Sequence, residues 1–180
     1  MNIFIRGGLF ILIMAGMAGS SFAKSDIDPF YGQYIGNTNS KCDKNAAPRN
    51  LDVIIRPYKR GFTVEWTTTI HKPSGKTKQA NFSINFKSMG KGGLYRSAMR
   101  VNAFGHEVPN DPLQGAPYIW GVLSGKTLTV HSLMIFGNGD YEIQTYIRTL
   151  TRDGMDVVFS RIRNGEKKKN LCANLKRIKY

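Results

Sequence analysis

Residues 51–70 read LDVIIRPYKRGFTVEWTTTI, and apolar and polar side chains alternate on both sides of a short turn. Residues 51–57 and 62–70 each show this period of two, which is typical of a β-strand with one buried face. The turn between them lies at residues 58–61. Together these features predict an antiparallel hairpin. The predicted cross-strand pairs are Pro57 with Phe62, Ile55 with Val64, and Val53 with Trp66.

The same spacing continues along the chain and predicts about ten short strands separated by turns. Residues 37–50 form a polar loop, and residues 102–117, which contain three prolines, form the one long loop. A series of hairpins leaves two unpaired edges, and closure into a barrel removes both. The sequence therefore predicts an all-β fold, an antiparallel up-and-down meander barrel of about 8–10 strands, with a β-sandwich as the alternative. The predicted strands are 31–36, 51–57, 62–70, 81–87, 94–101, 118–123, 127–136, 141–151, 155–163 and 168–178.

The lengths of the later turns predict how the following strands pair. A four-residue turn at residues 137–140 would place Ser132 opposite Thr145. A three-residue turn at residues 152–154 would then place Thr145 opposite Arg161. In this register one face of all three strands is largely apolar, as a sheet that covers a core requires. The predicted inner face therefore carries Ser132, Thr145 and Arg161 together.

The last hairpin does not fit a simple turn. A strict two-residue turn at residues 164–165 would point the apolar side chains of the final strand outward. We therefore expect a longer loop or a β-bulge in this hairpin, because a bulge restores the inward orientation at the cost of one unpaired residue. The side chains concerned are Leu171, Ala173 and Leu175.

Residues 1–23 have the layout of a secretory signal peptide. They contain a single arginine, an apolar run at residues 9–17, and a small-x-small cleavage site ending at Ala23. The apolar run is shorter than the roughly 20 residues that span a bilayer. We expect cleavage after Ala23, which leaves residues 24–180 as one β-barrel domain without a transmembrane helix. The expected location is the periplasm or the outside of the cell.

The chain is strongly basic, and its two cysteines agree with export. The 180 residues include 26 Lys plus Arg against 12 Asp plus Glu, a net charge of +14, which becomes +13 when the leader is removed. Cys42 and Cys172 are the two cysteines and lie 130 residues apart. In an oxidising compartment two cysteines usually pair, so we expect a disulfide. The alternative is two buried free thiols.

The opening and the end of the chain resemble those of a known group. An aromatic residue precedes Gly32-x-Tyr34, and the last strand is basic. With the predicted barrel, this pattern over residues 30–178 resembles the calycin group, the lipocalins and their relatives, and looks like an exported lipocalin-like protein of bacteria. Tyr34 stands where the lipocalin motif has Trp. The resemblance implies that Arg177 or Arg161 covers this aromatic, and that a small apolar or amphiphilic ligand binds inside the barrel.

Motifs for catalysis and for metal binding are incomplete. Residues 124–127 end like a phosphate-binding loop, but Trp120 stands where that motif needs glycine, and the segment leads into a strand. The three histidines lack metal-ligand spacing, and no Gly-x-Ser-x-Gly elbow is present. We therefore expect a non-enzymatic protein with no metal and no cofactor. The histidines are His71, His106 and His131.

Candidate ligand-binding residues come from the aromatic side chains and from one arginine. The aromatic residues form either a ligand cage or plain core. Arg161 shares the predicted apolar face, and an unpaired buried guanidinium is costly. We therefore predict that Arg161, with Thr145 and Ser132, receives the carboxylate or phosphate of an amphiphile. The alternative is that Arg161 extends to water at the barrel mouth or caps the first strand. The aromatic residues are Trp66, Phe82, Phe86, Tyr118, Trp120 and Tyr141.

Two functions follow from these features. The leading hypothesis is an exported binding protein, a lipocalin-like barrel for a small apolar or anionic amphiphilic ligand. The alternative is a basic, envelope-associated interaction protein that binds an anionic polymer, a lipid surface or a partner protein through its surface. Export argues against nucleic acid as the partner. A cavity on the order of several hundred Å³ lined by Trp66 and Trp120 would favour the first hypothesis, and a filled interior the second.

Overall fold

The computed structural model describes residues 26–90 and 92–179, and their strands close into an antiparallel barrel. Ten strands form the barrel in chain order, with β5 next to β8, and β12 closes it against β1. Strands β6 and β7 form a separate small hairpin. The predicted all-β meander barrel is therefore confirmed. The strands are β1 (Gly32–Asn39), β2 (Arg49–Tyr58), β3 (Gly61–His71), β4 (Thr77–Ser88), β5 (Leu94–Ser97), β6 (Arg100–Val101), β7 (Glu107–Val108), β8 (Tyr118–Ser124), β9 (Thr127–Ile135), β10 (Tyr141–Leu150), β11 (Gly154–Arg163) and β12 (Glu166–Lys179).

The predicted leader, residues 1–23 with its cleavage site after Ala23, lies outside the described residues. Among the residues that are described, no helix is long and apolar enough to cross a membrane. The two short 3-10 helices are Asp28–Phe30 and Pro112–Gln114.

The barrel interior is packed at one end and hollow at the other. At the packed end the 3-10 helix Asp28–Phe30 precedes β1, and its Phe30 is fully buried with the barrel core. Aromatic rings fill this end, with Phe62 stacked on Phe86 at 5.0 Å and Tyr95 edge-on to Phe62 at 4.8 Å. Close packing of this kind leaves no room for a ligand. Any binding site inside the barrel therefore belongs to the opposite end.

Arg177, and not Arg161, covers the aromatic residue of the first strand. The Nε of Arg177 donates a hydrogen bond to Tyr34 Oη at 3.0 Å, and its guanidinium carbon lies 4.9 Å from the Tyr34 ring centre. Tyr34 Oη in turn donates to the Phe30 carbonyl at 2.8 Å, and Arg177 Nη2 donates to the Pro29 carbonyl. These bonds join the last strand, the first strand and the N-terminal 3-10 helix.

Replacing Arg177 by methionine is expected to lower the free energy of unfolding by about 2 kcal/mol, because a buried tyrosine hydroxyl and a carbonyl lose charged hydrogen-bond donors. Urea unfolding followed by tryptophan fluorescence measures the loss. Lys176→Met is the control, since Lys176 is exposed on the adjacent position of β12. Equal stabilities of the two variants would show that the Arg177 contacts contribute nothing.

The register of β2 and β3 is confirmed, whereas the registers predicted around β10 are wrong by one residue. Val53 pairs with Trp66 as predicted. Ser132, however, pairs with Gln144, and Thr145 pairs with His131 on one side and with Ser160 on the other. Since successive side chains alternate between faces, this shift turns β10 over. Its inner face carries Glu142, Gln144, Tyr146 and Arg148, and Thr145 points outward.

The two turns that flank β10 explain the shift. Strand β9 ends at Ile135, so residues 136–140 form a five-residue turn in which the Phe136 N–H donates to the Asp140 carbonyl at 2.8 Å. The turn after β10 comprises residues 151–154, with a bond of 3.1 Å from the Thr151 N–H to the Gly154 carbonyl. Each turn is one residue longer than predicted. The two errors cancel beyond β10, so Arg161 on β11 still faces the interior.

The predicted irregularity of the last hairpin is a β-bulge. Arg163 pairs with Glu166 across a two-residue turn at residues 164–165, and the register then shifts between Arg161 and Ile162. Both turn residues have positive φ, 51° and 81°, as the favoured two-residue hairpin turn requires. The bulge returns the apolar side chains of β12 to the interior. The buried residues are Leu171, Ala173 and Leu175.

The predicted disulfide between Cys42 and Cys172 is confirmed, with the two Cα atoms 5.4 Å apart, within the range that disulfides span. Cys172 lies on β12, and Cys42 lies in the loop between β1 and β2. The bond therefore ties this loop to the barrel wall at the hollow end.

Candidate functional site

A cavity of about 360 Å³ occupies the hollow end of the barrel. This volume lies in the range of small-molecule sites. Its wall is mostly apolar, but three arginine side chains face into it from β2, β10 and β11. The apolar residues that line it include Leu51, Val53, Trp66, Val157, Phe159, Leu171 and Ala173, and the arginines are Arg49, Arg148 and Arg161.

The cavity is open beside β4. Phe82 lines the cavity, yet it is 50% exposed, and its ring stacks on Trp66 with the ring centres 4.9 Å apart. The ladder between β4 and β5 covers only residues 86–88 of β4. The preceding half of β4, which carries Phe82 and Lys78, therefore has solvent access. A ligand can enter here without disrupting the packed end of the barrel.

Arg148 is the most deeply buried charged residue of this cavity, only 1% exposed. Its guanidinium carbon lies 5.5 Å from the Trp66 ring centre and 5.1 Å from the Tyr146 ring centre. Its Nε and Nη1 atoms have no hydrogen-bond partner in the described part of the chain. Burial lowers the pKa of Arg148 to about 10, with a partial opposing effect of Tyr146, so the group is still charged at neutral pH.

Arg49 and Arg161 form a second positive group at the same cavity. The buried Nε atoms of both residues lack hydrogen-bond partners within residues 26–90 and 92–179. Burial lowers the pKa of Arg49, and the charge of Arg161 lowers it further. The pKa of the nearby Lys169 is lowered by burial and then by both arginines. These cations therefore repel one another.

Glu142 is the acidic residue nearest to Arg161. Its Oε2 atom lies 3.9 Å from Arg161 Nε, beyond hydrogen-bond distance. Its other oxygen, Oε1, accepts a hydrogen bond of 2.7 Å from Gln144 Nε2, and Gln144 Oε1 accepts one of 3.4 Å from Tyr146 Oη. One carboxylate that is already hydrogen-bonded does not neutralise the three arginines. The cavity thus combines apolar walls with uncompensated positive charge.

The structure brings together only some of the residues predicted to bind a ligand. Trp66, Phe82 and Arg161 line the cavity. Phe86 is inside the barrel but belongs to the packed end, where it stacks on Phe62. Ser132 is on the inner face of β9, opposite Gln144, and is not part of the cavity wall.

Tyr118, Trp120 and Thr145 lie together on the outer face of the barrel. The Trp120 ring stacks on His131 at 4.9 Å, and the Tyr118 and Trp120 ring centres lie 5.9 Å apart. His131 Nδ1 lies 3.2 Å from Thr145 Oγ1, and burial lowers the pKa of His131. Thr145 therefore contacts an outward-facing histidine and does not share a face with Arg161.

Sequence reasoning missed Arg49, Tyr146 and Arg148. Arg49 precedes the predicted start of its strand, although it is the first residue of β2. In the predicted register the apolar Ile147 faces the interior. Its neighbour Arg148 was therefore assigned to the outer face of the strand. A register one residue different would have identified Tyr146 and Arg148 as inner-face residues. No cluster of three or more His, Cys, Asp or Glu side chains able to hold a metal occurs in the described ranges.

No protein-family model and no curated protein sequence matches this chain. The closed antiparallel barrel is compatible with a lipocalin-like architecture. That likeness concerns the fold, and the same barrel can host unrelated functions. The function must therefore be argued from the cavity itself.

Proposed function

We propose that the protein is an exported, non-enzymatic binding protein that holds a small anionic ligand with an apolar body inside the barrel. The observation that carries this proposal is Arg148, a fully buried guanidinium that faces the cavity and has two nitrogen atoms without a hydrogen-bond partner among the described residues. Burial of an unpaired charge costs several kcal/mol unless an opposite charge accompanies it. A bound anion supplies that charge and the missing hydrogen-bond acceptors.

The surroundings of Arg148 favour a ligand that is apolar apart from its anionic group. Trp66 and Tyr146 flank the guanidinium, and aliphatic side chains continue the wall. The ligand-binding hypothesis predicts a cavity on the order of several hundred Å³ lined by Trp66 and Trp120. Trp66 lines the observed cavity, whereas Trp120 lies on the outer face of the barrel. A free inorganic anion would leave most of this apolar surface in contact with water.

The proposed location is the periplasm or the outside of the cell. The predicted leader supports export, and the Cys42–Cys172 disulfide fits an oxidising compartment. The apolar body and the anionic group are both common in amphiphiles of the cell envelope, which are accessible to an exported protein.

A matched pair of fluorescent probes tests the proposal. Anilinonaphthalene sulfonate and the neutral phenylnaphthylamine share an aromatic body and differ in the sulfonate group. We expect the protein to bind the sulfonate at least about tenfold more tightly than the neutral probe, because a charged hydrogen bond contributes about 1.5–3 kcal/mol. Arg148→Met should remove this preference. Fluorescence titration measures both affinities.

Arg152→Met is the control, because the Arg152 side chain is 96% exposed in the turn after β10. It removes the same charge from the chain without touching the cavity. If Arg148→Met binds the sulfonate as tightly as the unchanged protein does, the proposal is wrong.

Binding of an anionic polymer to the basic surface is the competing function, and ionic strength distinguishes the two. Exposed charges are largely screened at about 1 M salt, whereas a buried charge is screened much less. We expect sulfonate binding in the cavity to lose little affinity between low and high salt. A collapse of binding over that range would favour the surface.

A further inference from the structure

The positive charge of the cavity is divided between two levels of the barrel. Arg148 lies directly across the ladder from Val157 on β11. Arg161 is four residues further along β11, toward the hollow end of the barrel. Four residues correspond to about 13 Å along the strand. Arg161 pairs with Gln144 and Lys169. The two arginines are therefore attached to the barrel wall at separate levels.

At the lower level, Arg148 is the charged residue that lines the cavity in the part of the chain that the structure describes. Its aromatic neighbours, Trp66 and Tyr146, present ring faces and not carboxylates. Within the described part of the chain, the Nε and Nη1 atoms have no partner, and each leaves one edge of the guanidinium available as a donor to an anionic group. An arginine can hold a carboxylate or a phosphate through two parallel hydrogen bonds.

The upper level contains Arg49 and Arg161, with Lys169 beside them. Both arginines have a buried Nε without a partner, and their charges act on each other and on Lys169. Glu142 forms an ion pair with Arg161, with its Oε2 atom 3.9 Å from Nε, so this one carboxylate compensates only part of the charge of Arg49, Arg161 and Lys169. An anion bound at the lower level would leave this repulsion in place.

Apolar side chains separate the two levels. Phe159 stands between Val157 and Arg161 on β11, and it pairs with Leu171 on β12, while Val157 pairs with Ala173. All of these residues line the cavity. On β11 and β12 the wall between the levels can therefore contact a hydrocarbon or an aromatic segment, and the Tyr146 hydroxyl at this height on β10 donates to Gln144.

We propose that the ligand carries two anionic groups joined by an apolar segment, one held by Arg148 and the other by Arg49 and Arg161. This inference rests on the proposed function and specifies the class of ligand. A ligand with one anionic group would leave one level without a counter-ion, either the fully buried Arg148 or the partly exposed Arg49 and Arg161 with their buried Nε atoms, whereas a ligand with two neutralises both. Each anionic group can be a carboxylate, a phosphate or a sulfate, because an arginine binds all three through the same kind of hydrogen bond.

Dodecanedioate and dodecanoate test the inference, because they share a carbon chain length and differ in the second carboxylate. We expect isothermal titration calorimetry to show that the diacid binds roughly tenfold to a hundredfold more tightly than the monoacid, because its second carboxylate adds charged hydrogen bonds. Arg161→Met should reduce the diacid affinity to that of the monoacid and leave the monoacid unchanged. Arg148→Met should weaken both acids.

Arg163→Met is the matched control, because Arg163 is on the same strand but pairs with Asp140 at 3.1 Å outside the cavity wall. Arg49→Met is a second test of the upper level, should Arg161→Met fail to fold by circular dichroism. Equal affinities of the two acids, with both still dependent on Arg148, would overturn the two-anion inference and support the proposed function. If neither acid binds, and if the binding of anilinonaphthalene sulfonate and phenylnaphthylamine does not depend on Arg148, the two-anion inference and the proposed function are both wrong.

Discussion

Replacement of Cys42 and Cys172 by alanine is expected to lower the free energy of unfolding by about 5 kcal/mol, the largest effect of any change considered for this protein. The disulfide closes a loop of 130 residues, and in the chain-entropy description such a loop restricts the unfolded chain strongly. Total stabilities of small domains are about 5–15 kcal/mol. The doubly substituted protein is therefore expected to be marginally stable or unfolded.

The measurement is urea unfolding of three samples: the oxidised protein, the protein with a reducing agent, and the double alanine variant. The last two should unfold at the same, much lower urea concentration, and the reducing agent should not affect the variant. A loss below about 1 kcal/mol would contradict the prediction, because a tether this long is expected to contribute several times more.

The same change is expected to weaken ligand binding, for a local reason. The disulfide anchors residues 40–48, the loop between β1 and β2, and the cavity is lined by Thr38 near the end of β1 and by Arg49 at the start of β2. Within this loop the backbone forms a hydrogen bond of 3.4 Å from the Ala46 N–H to the Asp43 carbonyl. Loss of the disulfide frees the loop and with it the position of Arg49.

Arg148→Met is expected to stabilise the protein by about 2 kcal/mol at pH 7 while it abolishes the preference for anions. Burial lowers the pKa of Arg148 from its ordinary value to about 10, which corresponds to a cost of roughly 3 kcal/mol for keeping the group charged in the fold. Loss of the contacts with Trp66 and Tyr146 offsets about 1 kcal/mol of the gain. Stability gained with function lost is typical of a binding site.

The pH dependence of this gain has a definite sign. Above about pH 10 the unfolded chain still binds the Arg148 proton while the folded protein loses it, so the unchanged protein gains stability as pH rises. The advantage of Arg148→Met should be constant below about pH 10 and shrink above it. Urea unfolding of both proteins at pH 8 and pH 11 measures this. If the methionine variant is less stable at pH 8, Arg148 is compensated in the ligand-free protein.

Much of the fold could be predicted because it depends on local patterns. The alternation in residues 51–57 and 62–70 sets their facing side chains, and a tight turn leaves one register, which the structure confirms. The bulge in the last hairpin was predictable for a similar reason. Apolar side chains of β12 must point inward, and the two-residue turn alone points them outward.

The candidate site was predicted only in part, for a reason that lies in two turns. Trp66, Phe82 and Arg161 were identified, and all three line the cavity. Arg148 was missed because each turn beside β10 takes up one residue more than its composition suggests, which inverts that strand. On β10 both faces mix apolar and polar residues, so the sequence pattern does not reveal the inversion.

From the amino-acid sequence alone the strands and their up-and-down order could be predicted, because alternation and turn composition are local properties. The closed barrel and the Cys42–Cys172 disulfide were the favoured alternatives to a β-sandwich and to free thiols, and the tertiary structure decided between them. The tertiary structure decided which end of the barrel is hollow and which arginines face into it. Turn length is set by the hydrogen bonds that close each turn, and a difference of one residue moves a charge from water to the interior. The buried, unpartnered guanidinium of Arg148 is the consequence, and the proposed function follows from it.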